Sequence, residues 1–328
     1  MIKTRRYTKG KWFGRSFRSV LLNNALRLFV KRQFTSNTKP PAEMRAFMQK
    51  YIESRARYPD HTRHWEDDLA GMGAHWFRAG VGETHGILLY LHGVAFVVET
   101  PRAHGAFLAE LAYQTRTMAV MPSYRLAPEC PFPAAVEDTI SAYRGLLELG
   151  YAPEEIVVMG DSAGGNLTLV LLQSCKELGL PQPAAGVMIS PGMELSGRLR
   201  SHNINTVSDP MFNQYAMQQV ITHYLEEDHE LLRDPRVSPL RGDFHGLPPL
   251  HFVASNIEIF RDCSIQAARR AEQAGVRVDC NIWNGMPHCF PVMFTQMLPE
   301  ADIALADMVR FIREWMPYPE KDDKQQVA

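Results

Sequence analysis

The residues best suited to chemistry lie in the segment VVMGDSAGG, where residues 160–164 read G-D-S-A-G between an apolar run and a helical pattern. A serine hydroxyl is a poor nucleophile at neutral pH, so it needs exposure and a neighbouring base. This pentapeptide exposes its serine when it turns sharply from a strand into a helix, because its small residues let the two elements approach closely. A helix-capping serine in a Gly-rich turn is the alternative, but the strand-to-helix setting favours Ser162 as a nucleophile.

The sequence has twelve histidines, so we use their positions in the chain to select the candidate base. His288, in NIWNGMPHCF, follows the last predicted strand, where a loop can carry it to the carboxyl edge of the sheet. Its place late in the chain fits the order serine, acid, histidine that accompanies this type of turn. His92 belongs to a second candidate loop, and seven others have no comparable setting: His85, His104, His202, His223, His229, His245 and His251.

A carboxylate is needed to orient the base and to stabilise its protonated form. The segment LPPLHFVASNIEIFRDCS offers Glu258 and Asp262 after the predicted strand LHFVAS. Glu258 is nearer to the strand end, whereas Asp262 falls one helical turn later and suits a helix start. Asn256 is discounted because it cannot carry the charge. We therefore predict Glu258 as the acid.

A second segment, ILLYLHGVAFVVETP, could stabilise the negative charge that forms when a serine attacks a carbonyl carbon. Its apolar strand runs into the loop H-G-V-A-F, residues 92–96, which can offer backbone N–H groups. A further donor should be the N–H that directly follows the nucleophile. We predict an oxyanion hole formed by the N–H groups of Gly93, Val94, Ala95 and Ala163.

The composition fits a soluble globular protein with one large domain. The chain has 328 residues, of which 45% are hydrophobic and 22% charged, so it can bury a sizeable core. The formal net charge of -1 gives no sign of nucleic-acid binding. Five scattered cysteines without a C-x-x-C pair support neither a disulfide framework nor a zinc knuckle, and they indicate reduced thiols in the cytoplasm. No H-E-x-x-H or similar spacing occurs, so we expect no catalytic metal.

Apolar strands alternate with helical segments from about residue 75 to the closing helix EADIALADMVRFIREW. This alternation predicts an α/β protein whose mainly parallel sheet is covered by helices on both faces. Residues 193–235 break the alternation and are expected to form an insertion over the strand ends. Residues 319–328 are expected to be a disordered tail.

The N-terminal segment is basic and amphipathic. Residues 1–42 contain many Lys and Arg side chains, no Asp or Glu, and interleaved Trp, Phe and Leu residues. They contain neither the uninterrupted apolar core of a secretory signal nor the roughly 18 to 20 apolar residues of a membrane span. We favour a cap helix that covers the core or the mouth of a site. A helix that lies on an anionic membrane surface is the alternative.

Six motifs appear in an order that resembles one known family. They are YLHGVAF, PSYRLAPECPFPAAVED, GDSAGGNL, DPRVSPL, LPPLHFVAS and GMPHCF, and the resemblance covers roughly residues 75–315. The chain is similar to the hormone-sensitive-lipase-like group of α/β-hydrolases, also called the bacterial family IV esterases. The resemblance implies a carboxylic-ester hydrolase that acts on short to medium acyl chains with no metal or organic cofactor.

The resemblance also implies roles for individual residues and segments. It places the nucleophile at Ser162 and the base at His288, and it allows glutamate in place of the usual aspartate, as Glu258 would be. It implies a helical cap made from residues 1–50 and the insertion at 193–235, on a catalytic domain of residues 51–318. Many members pair through the edge strand before the catalytic histidine, so the strand at 276–283 is a candidate homodimer interface.

Val94 departs from the family pattern, which has H-G-G-G or H-G-G-A in this loop. Glycine adopts positive φ freely, whereas a β-branched residue does so poorly. We therefore expect Val94 to keep an ordinary β-region conformation with its isopropyl group turned away from the substrate. Two other functions stay open: a non-catalytic ligand-binding relative on the same fold, and an amide hydrolase that uses the same triad.

Overall fold

The computed structural model describes residues 1–5, 14–33 and 40–316, and within them nine strands form one sheet. The strands are β1 (Ile2–Arg5), β2 (Thr62–Leu69), β3 (Met72–Ala79), β4 (Ile87–Leu91), β5 (Met118–Pro122), β6 (Ile156–Asp161), β7 (Ala185–Ile189), β8 (Leu250–Ser255) and β9 (Val278–Trp283). Their order is β1-β9-β8-β7-β6-β4-β5-β3-β2. Only the β2–β3 and β3–β5 pairs are antiparallel. The predicted mainly parallel α/β architecture is confirmed.

The helices of the described residues flank this sheet. They are α1 (Phe17–Phe29), α2 (Pro41–Tyr51), α3 (Pro101–Thr115), α4 (Ala134–Glu148), α5 (Ala163–Glu177), α6 (Arg200–Ile204), α7 (Gln214–Tyr224), α8 (Arg261–Gln273), α9 (Phe290–Met293) and α10 (Pro299–Trp315). Helices α3 and α10 pack on one face, and α4, α5 and α8 pack on the other. None of these helices is both long and apolar enough to cross a membrane.

The continuous apolar run of β4 shows why the central strands need cover on both faces. Ile87, Leu89 and Leu91 pack into the layer under α4 and α5, while Leu88 and Tyr90 point into the layer under α3. All five side chains are fully buried. A strand whose side chains are apolar on both faces is stable only between two helical layers, which is the usual state of a parallel sheet.

The edge of the sheet beside β9 differs from the prediction. Residues 2–5, which the sequence pattern groups with the cap, form β1 and pair in parallel with β9, with Ile2 opposite Cys280 and Arg5 opposite Trp283. The N-terminal ammonium group of Met1 also donates to the carbonyl of Val278 at 2.7 Å. The strand at 276–283 is therefore not a free edge, and its backbone cannot pair with a second copy in this arrangement. The predicted tail at 319–328 lies outside the described residues.

The parallel strands bring the candidate residues to one edge. The loop at 92–96 follows β4, Ser162 follows β6, Glu258 follows β8 and His288 follows β9. Because the carboxyl ends of parallel strands meet at the same edge, these residues are neighbours despite their separation in the sequence.

Candidate active site

Ser162 sits on a strained turn between β6 and α5. Its backbone has φ 51° and ψ −114°, outside the regions that side-chain-bearing residues usually adopt. The turn is possible because residues 160 and 164 are glycines. A Cβ at Gly160 would overlap the carbonyl of Gly164, and a Cβ at Gly164 would overlap the carbonyl of Leu91. The Ser162 N–H donates to the Ile189 carbonyl at 2.9 Å, which ties the turn to β7. The flanking glycines thus permit the close approach that exposes the serine side chain.

His288 and Glu258 form a buried pair beside this turn. The Nδ1 atom of His288 lies 2.8 Å from Oε2 of Glu258. The other carboxylate oxygen accepts hydrogen bonds from the Ser255 N–H at 2.7 Å and the Ser190 hydroxyl at 3.1 Å. The carboxylate is therefore fixed on both oxygens, and it holds the imidazole in one orientation.

The Glu258 contact uses only one ring nitrogen of His288. Its Nε2 atom is buried and has no hydrogen-bond partner among the described residues. His288 and Ser162 line the same cavity, and the ring of His288 packs edge-on against Phe212 at 4.9 Å between centroids. A neutral imidazole with Nδ1 bound to a carboxylate presents a basic Nε2, which is the atom that a general base uses.

Asp262, the competing acid, lies in a different setting. Its carboxylate accepts from the Ser201 N–H at 2.9 Å and pairs with the Arg261 guanidinium at 2.8 Å. It stands in the first turn of α8, where a negative charge is favourable. Its contacts therefore link α8 to α6 and leave Glu258 as the carboxylate on His288.

The loop at 92–96 contradicts the expected backbone conformation of Val94. Three consecutive residues have positive φ: Val94 at 65°, Ala95 at 60° and Phe96 at 62°. Val94 and Ala95 are only half-buried and line the cavity together with Ser162, so their side chains have open space. The expectation of an ordinary β-region Val94 is wrong, because contacts elsewhere in the fold impose the loop conformation.

The donor set of this loop also needs one correction. The N–H of Gly93, one of the predicted oxyanion donors, instead donates to Oδ1 of Asp161 at 2.9 Å. The Gly93 N–H is therefore not available to a bound oxygen. Within the described residues, no hydrogen bond engages the N–H groups of Val94, Ala95 and Ala163. These three remain as candidate donors to a bound oxygen.

Two further contacts hold the loop in place. The Tyr124 hydroxyl donates to the carbonyl of His92 at 2.7 Å, and the two rings stack with centroids 4.2 Å apart. The Phe96 ring stacks on Tyr224 of α7 with centroids 3.9 Å apart and planes 4° from parallel. Both ends of the strained segment are therefore fixed by packing from other elements.

Asp161, the residue before Ser162, is a residue of the candidate site that the sequence did not identify. Its buried carboxylate accepts from the Tyr90 hydroxyl at 2.7 Å and from Gly93, and it lies 3.3 Å from Nε2 of His104. Burial opposes ionisation, but the nearby charge of His104 together with the Tyr90 hydrogen bond lowers the pKa of Asp161 to about 2. Asp161 thus connects the turn at Ser162 to the loop at 92–96.

His104 is the ionisable partner of this carboxylate. Burial alone would lower its pKa, but the adjacent Asp161 charge raises the pKa of His104 above its usual value. Its Nδ1 atom lies 3.0 Å from the carbonyl of Thr100. The only sequence signal for this pair was an aspartate at the end of an otherwise apolar strand.

Helices α1 and α2 form one wall of the cavity. Leu26 and Phe29 of α1 and Met48 and Tyr51 of α2 line it, together with residues of the insertion such as Phe212. The cavity has a volume of about 680 Å³ and a mostly apolar lining. Volumes of roughly 300–1,000 Å³ are typical of sites for small ligands.

Polar side chains of the N-terminal segment anchor α1 in this position. Asn23 donates to the Gly285 carbonyl at 2.8 Å, and Arg27 donates to the Ser208 carbonyl at 2.9 Å. Lys31 donates to the carbonyl of Asp209 at 2.7 Å. Several polar and basic residues of this segment therefore bind backbone carbonyls around the site, which fits the predicted cap.

Known proteins resemble this chain in both sequence and fold. A family model described as an alpha/beta hydrolase fold matches residues 88–292. An esterase of Acinetobacter venetianus is 35% identical over 243 residues, covering 74% of this chain and 79% of that protein. An acetyl-hydrolase of Streptomyces hygroscopicus is 34% identical over 69% of this chain and 75% of its own length.

Solved structures show the same likeness. The crystal structure of an esterase/lipase from an uncultured bacterium has a TM-score of 0.85 and 32% identity, covering 92% of this chain and 100% of that chain. An esterase described as belonging to the bacterial hormone-sensitive lipase family has a TM-score of 0.84 and 32% identity, covering 92% of this chain and 99% of its own.

Proposed function

Because this chain belongs to the hormone-sensitive-lipase-like esterases of the α/β-hydrolase family and is a serine carboxylesterase, we propose that Ser162, His288 and Glu258 are its catalytic triad. The observation that carries the proposal is the His288–Glu258 pair at 2.8 Å, with the remaining imidazole nitrogen unpartnered among the described residues. That nitrogen belongs to a ring that shares its cavity with Ser162.

The proposed reaction is a two-step acyl transfer. His288 takes the hydroxyl proton of Ser162 as the serine oxygen bonds to the ester carbonyl carbon. The tetrahedral intermediate then expels the alcohol, which receives that proton from His288 and leaves an acyl-serine. A water molecule repeats the sequence on the acyl-serine and releases the acid. Glu258 stabilises the imidazolium form of His288 in both steps.

The oxyanion of each intermediate would be bound by backbone N–H groups. Val94, Ala95 and Ala163 supply three such groups beside Ser162. Ala163 is the first residue of α5, so the positive end of that helix dipole adds to its effect. One oxyanion donor contributes roughly 3–4 kcal/mol to the transition state in acyl transfer.

The apolar cavity supports esters with short to medium acyl chains as substrates. Residues of α1 and α2 and Phe212 line it together with Ser162, and its volume suits a small ester rather than a bulky one. Initial rates on p-nitrophenyl esters from two to sixteen carbons test this proposal. We expect a maximum at short or medium length, and a rate that rises steadily to sixteen carbons would contradict it.

Paired substitutions at the two acidic residues test the triad. We expect Glu258→Gln to lower kcat by about 10⁴-fold, because a neutral amide cannot stabilise the imidazolium and selects the wrong tautomer. Asp262→Asn is the matched control, since Asp262 contacts Ser201 and Arg261 and not His288, and it should change kcat less than threefold. Equal losses in the two variants would refute the assignment of Glu258.

Labelling by a fluorophosphonate separates an enzyme from a binding protein on the same fold. Folded wild-type protein should be labelled at Ser162, and Ser162→Ala should be neither labelled nor active. A parallel anilide substrate measures amide hydrolysis. A higher kcat/KM for the anilide than for the matching ester would make an amidase the better assignment.

We further propose that the outer face of α1 contacts an anionic membrane surface. Leu21 and Leu28 are 54% and 53% exposed, and their spacing of seven residues places them on one side of the helix. Residues 1–42 contain no acidic side chain, so charge favours an anionic lipid surface. The opposite side of α1 lines the cavity through Leu26, which would hold the mouth of the site near lipid esters.

Vesicle co-sedimentation tests this contact with the full chain. We expect Leu21→Ser with Leu28→Ser to reduce binding to vesicles of phosphatidylserine and phosphatidylcholine severalfold, while activity on a soluble short-chain ester is retained. The exposed Val81, far along the chain from α1, provides the control substitution Val81→Ser. Equal sedimentation of the double variant and wild type would remove the proposal.

A further inference from the structure

The β2–β3 hairpin carries a cluster of potential metal ligands away from the cavity of Ser162. Glu66 of β2 lies directly opposite His75 of β3, and His64 lies opposite Phe77. Because side chains alternate between the two faces of a sheet, residues two apart on each strand share a face. His64, Glu66 and His75 therefore project on the same side of the hairpin.

Their donor atoms have the spacing of a metal site. His64 Nε2 lies 3.1 Å from His75 Nδ1, and His75 Nδ1 lies 3.7 Å from Oε1 of Glu66. One donor atom from each residue lies within 4.8 Å of the other two. Ligands at the usual bond lengths of a tetrahedral zinc ion are roughly 3.3–3.5 Å apart. The three side chains can thus close on an ion with small rotations.

A carboxylate lies near the other ring nitrogen of His75. The Nε2 atom of His75 lies 3.5 Å from Oε1 of Glu99. Glu99 is itself fixed, because it accepts from the Ser123 hydroxyl at 2.7 Å. Metal-binding histidines usually direct their other nitrogen at a carboxylate or carbonyl, which sets the tautomer and orientation of the ring. His75 has this outer partner in place.

The packing around the cluster holds it in position while leaving an approach from solvent. The ring of His64 lies 5.1 Å from Tyr58 and 5.0 Å from Phe77 between centroids, and His75 is buried. The Glu66 side chain is 74% exposed, so an ion can enter and the carboxylate can rotate. The site thus combines two fixed imidazoles with one mobile carboxylate.

We propose that His64, Glu66 and His75 bind a divalent late transition metal such as Zn²⁺, with Glu99 positioning His75. Two imidazoles and one carboxylate suit this class of metal, whereas Ca²⁺ and Mg²⁺ prefer oxygen ligands alone. The ion would link β2 and β3, the antiparallel strands at the opposite end of the sheet from β9. This role is independent of the proposed triad, and no step of ester hydrolysis passes through the ion.

Metal titration of the purified full chain, first treated with a chelator, tests the proposal. We expect one equivalent of Co²⁺ per chain, with the intense visible absorption of a tetrahedral site, and displacement by Zn²⁺. Binding should also raise Tm by at least about 2 °C. Absence of a stoichiometric site, or an absorption spectrum of octahedral Co²⁺, would overturn the proposal.

Point variants locate the ion on the hairpin. His64→Gln and Glu66→Gln should each weaken Co²⁺ binding by tenfold or more, and Glu99→Gln by about tenfold through the orientation of His75. Asp67→Asn is the matched control, since Asp67 is an exposed carboxylate next to Glu66 that projects from the opposite face. Its Co²⁺ affinity should equal that of wild type.

Thermal unfolding without metal checks that each variant is folded before binding is compared. A variant that retains the metal-free Tm of wild type and loses the Co²⁺ spectrum supports the assignment. If His64→Gln and Glu66→Gln bind Co²⁺ as tightly as wild type, the ion is held elsewhere and the proposal is wrong.

Discussion

The turn at 160–164, which carries the proposed nucleophile, and the proposed oxyanion loop at 92–96 both follow a strand at the carboxyl edge of the sheet. Both need glycine for close backbone approach and not for positive φ. Gly160 and Gly164 have ordinary φ, and a Cβ on either would overlap the backbone of a neighbouring segment. Gly93 also has ordinary φ, and a Cβ there would meet the Asp161 carboxylate. In both segments, positive φ falls on residues that carry side chains.

The difference between the two segments lies in how much strain each carries. The turn has one such residue, Ser162, whereas the loop has Val94, Ala95 and Phe96 in sequence. A left-handed conformation costs roughly 1–2 kcal/mol for each residue with a side chain. The loop therefore depends on contacts from other elements, and Asp161 of the turn supplies one of them by accepting from the Gly93 N–H. The conformation of the turn depends on close approach of backbone segments, and the conformation of the loop depends on contacts from other elements.

Gly164→Ala is expected to have the largest effect, because it removes the close approach on which the turn depends. The new Cβ would overlap the Leu91 carbonyl, a backbone atom that cannot move without disturbing β4. We expect a loss of roughly 4 kcal/mol or more in the free energy of unfolding, measured by urea denaturation. Gly73→Ala is the control, since a Cβ there meets nothing within 4 Å and Gly73 has ordinary φ. Similar losses in both variants would show that the turn tolerates a side chain.

Asp161→Asn should have the next largest effect, because it weakens the connection between turn and loop. The variant keeps an acceptor for Gly93 but leaves His104 without its charge partner. We expect a loss of about 3 kcal/mol in stability, and we expect kcat to fall by roughly one to two orders of magnitude. Asp138→Asn, which breaks the ion pair with Arg125, is the comparison for a lost ion pair outside the site. If both variants retained full kcat, the loop would not depend on Asp161.

The pH dependence of stability tests the Asp161–His104 pair. The pKa of His104 is raised above 6.5, so its contribution is complete below pH 6.5 and is lost as pH rises through the raised value. The pKa of Asp161 is lowered from 3.8 to about 2, so its contribution is complete above pH 3.8 and is lost as pH falls towards 2. The stability advantage of wild type over His104→Gln should therefore be greatest between about pH 4 and 6.5.

Urea denaturation of both proteins at pH 5.5 and pH 8.5 measures this advantage. A difference in the free energy of unfolding that is smaller at pH 8.5 than at pH 5.5 is expected. A difference that is equal at the two pH values would mean that His104 keeps one protonation state between them, which would contradict the expected pH dependence.

Local requirements explain what could be predicted from sequence. The turn around Ser162 was readable because its small residues and its strand-to-helix setting lie within a few positions. His288 and Glu258 were readable because each follows a strand end in a fixed chain order. The parallel sheet was readable because apolar runs such as the one in β4 need cover on both faces. Each of these signals is a local pattern or follows from the order of elements along the chain.

Long-range contacts explain what could not be predicted. Tyr90 and His104 meet Asp161 only after the sheet and α3 have packed, from positions 71 and 57 residues away. The positive φ of Val94 follows from such contacts and not from its own preference. β1 is a four-residue strand with exposed Lys and Thr side chains, and only its pairing with β9 reveals it.

Val94→Gly is expected to have the smallest effect, and it separates strain from function in the loop. Glycine relieves a left-handed conformation worth roughly 1–2 kcal/mol, but it adds about 0.5–1 kcal/mol of backbone entropy to the unfolded state. The net change in stability should stay within about 1 kcal/mol. The donor N–H is retained, and because Val94 already has φ 65°, glycine needs no new backbone path, so kcat should change less than fivefold. Ala95→Gly is the matched variant at the next position, with φ 60°. If Val94→Gly alone raised kcat by two orders of magnitude or more, the isopropyl group would be shown to obstruct the oxyanion hole.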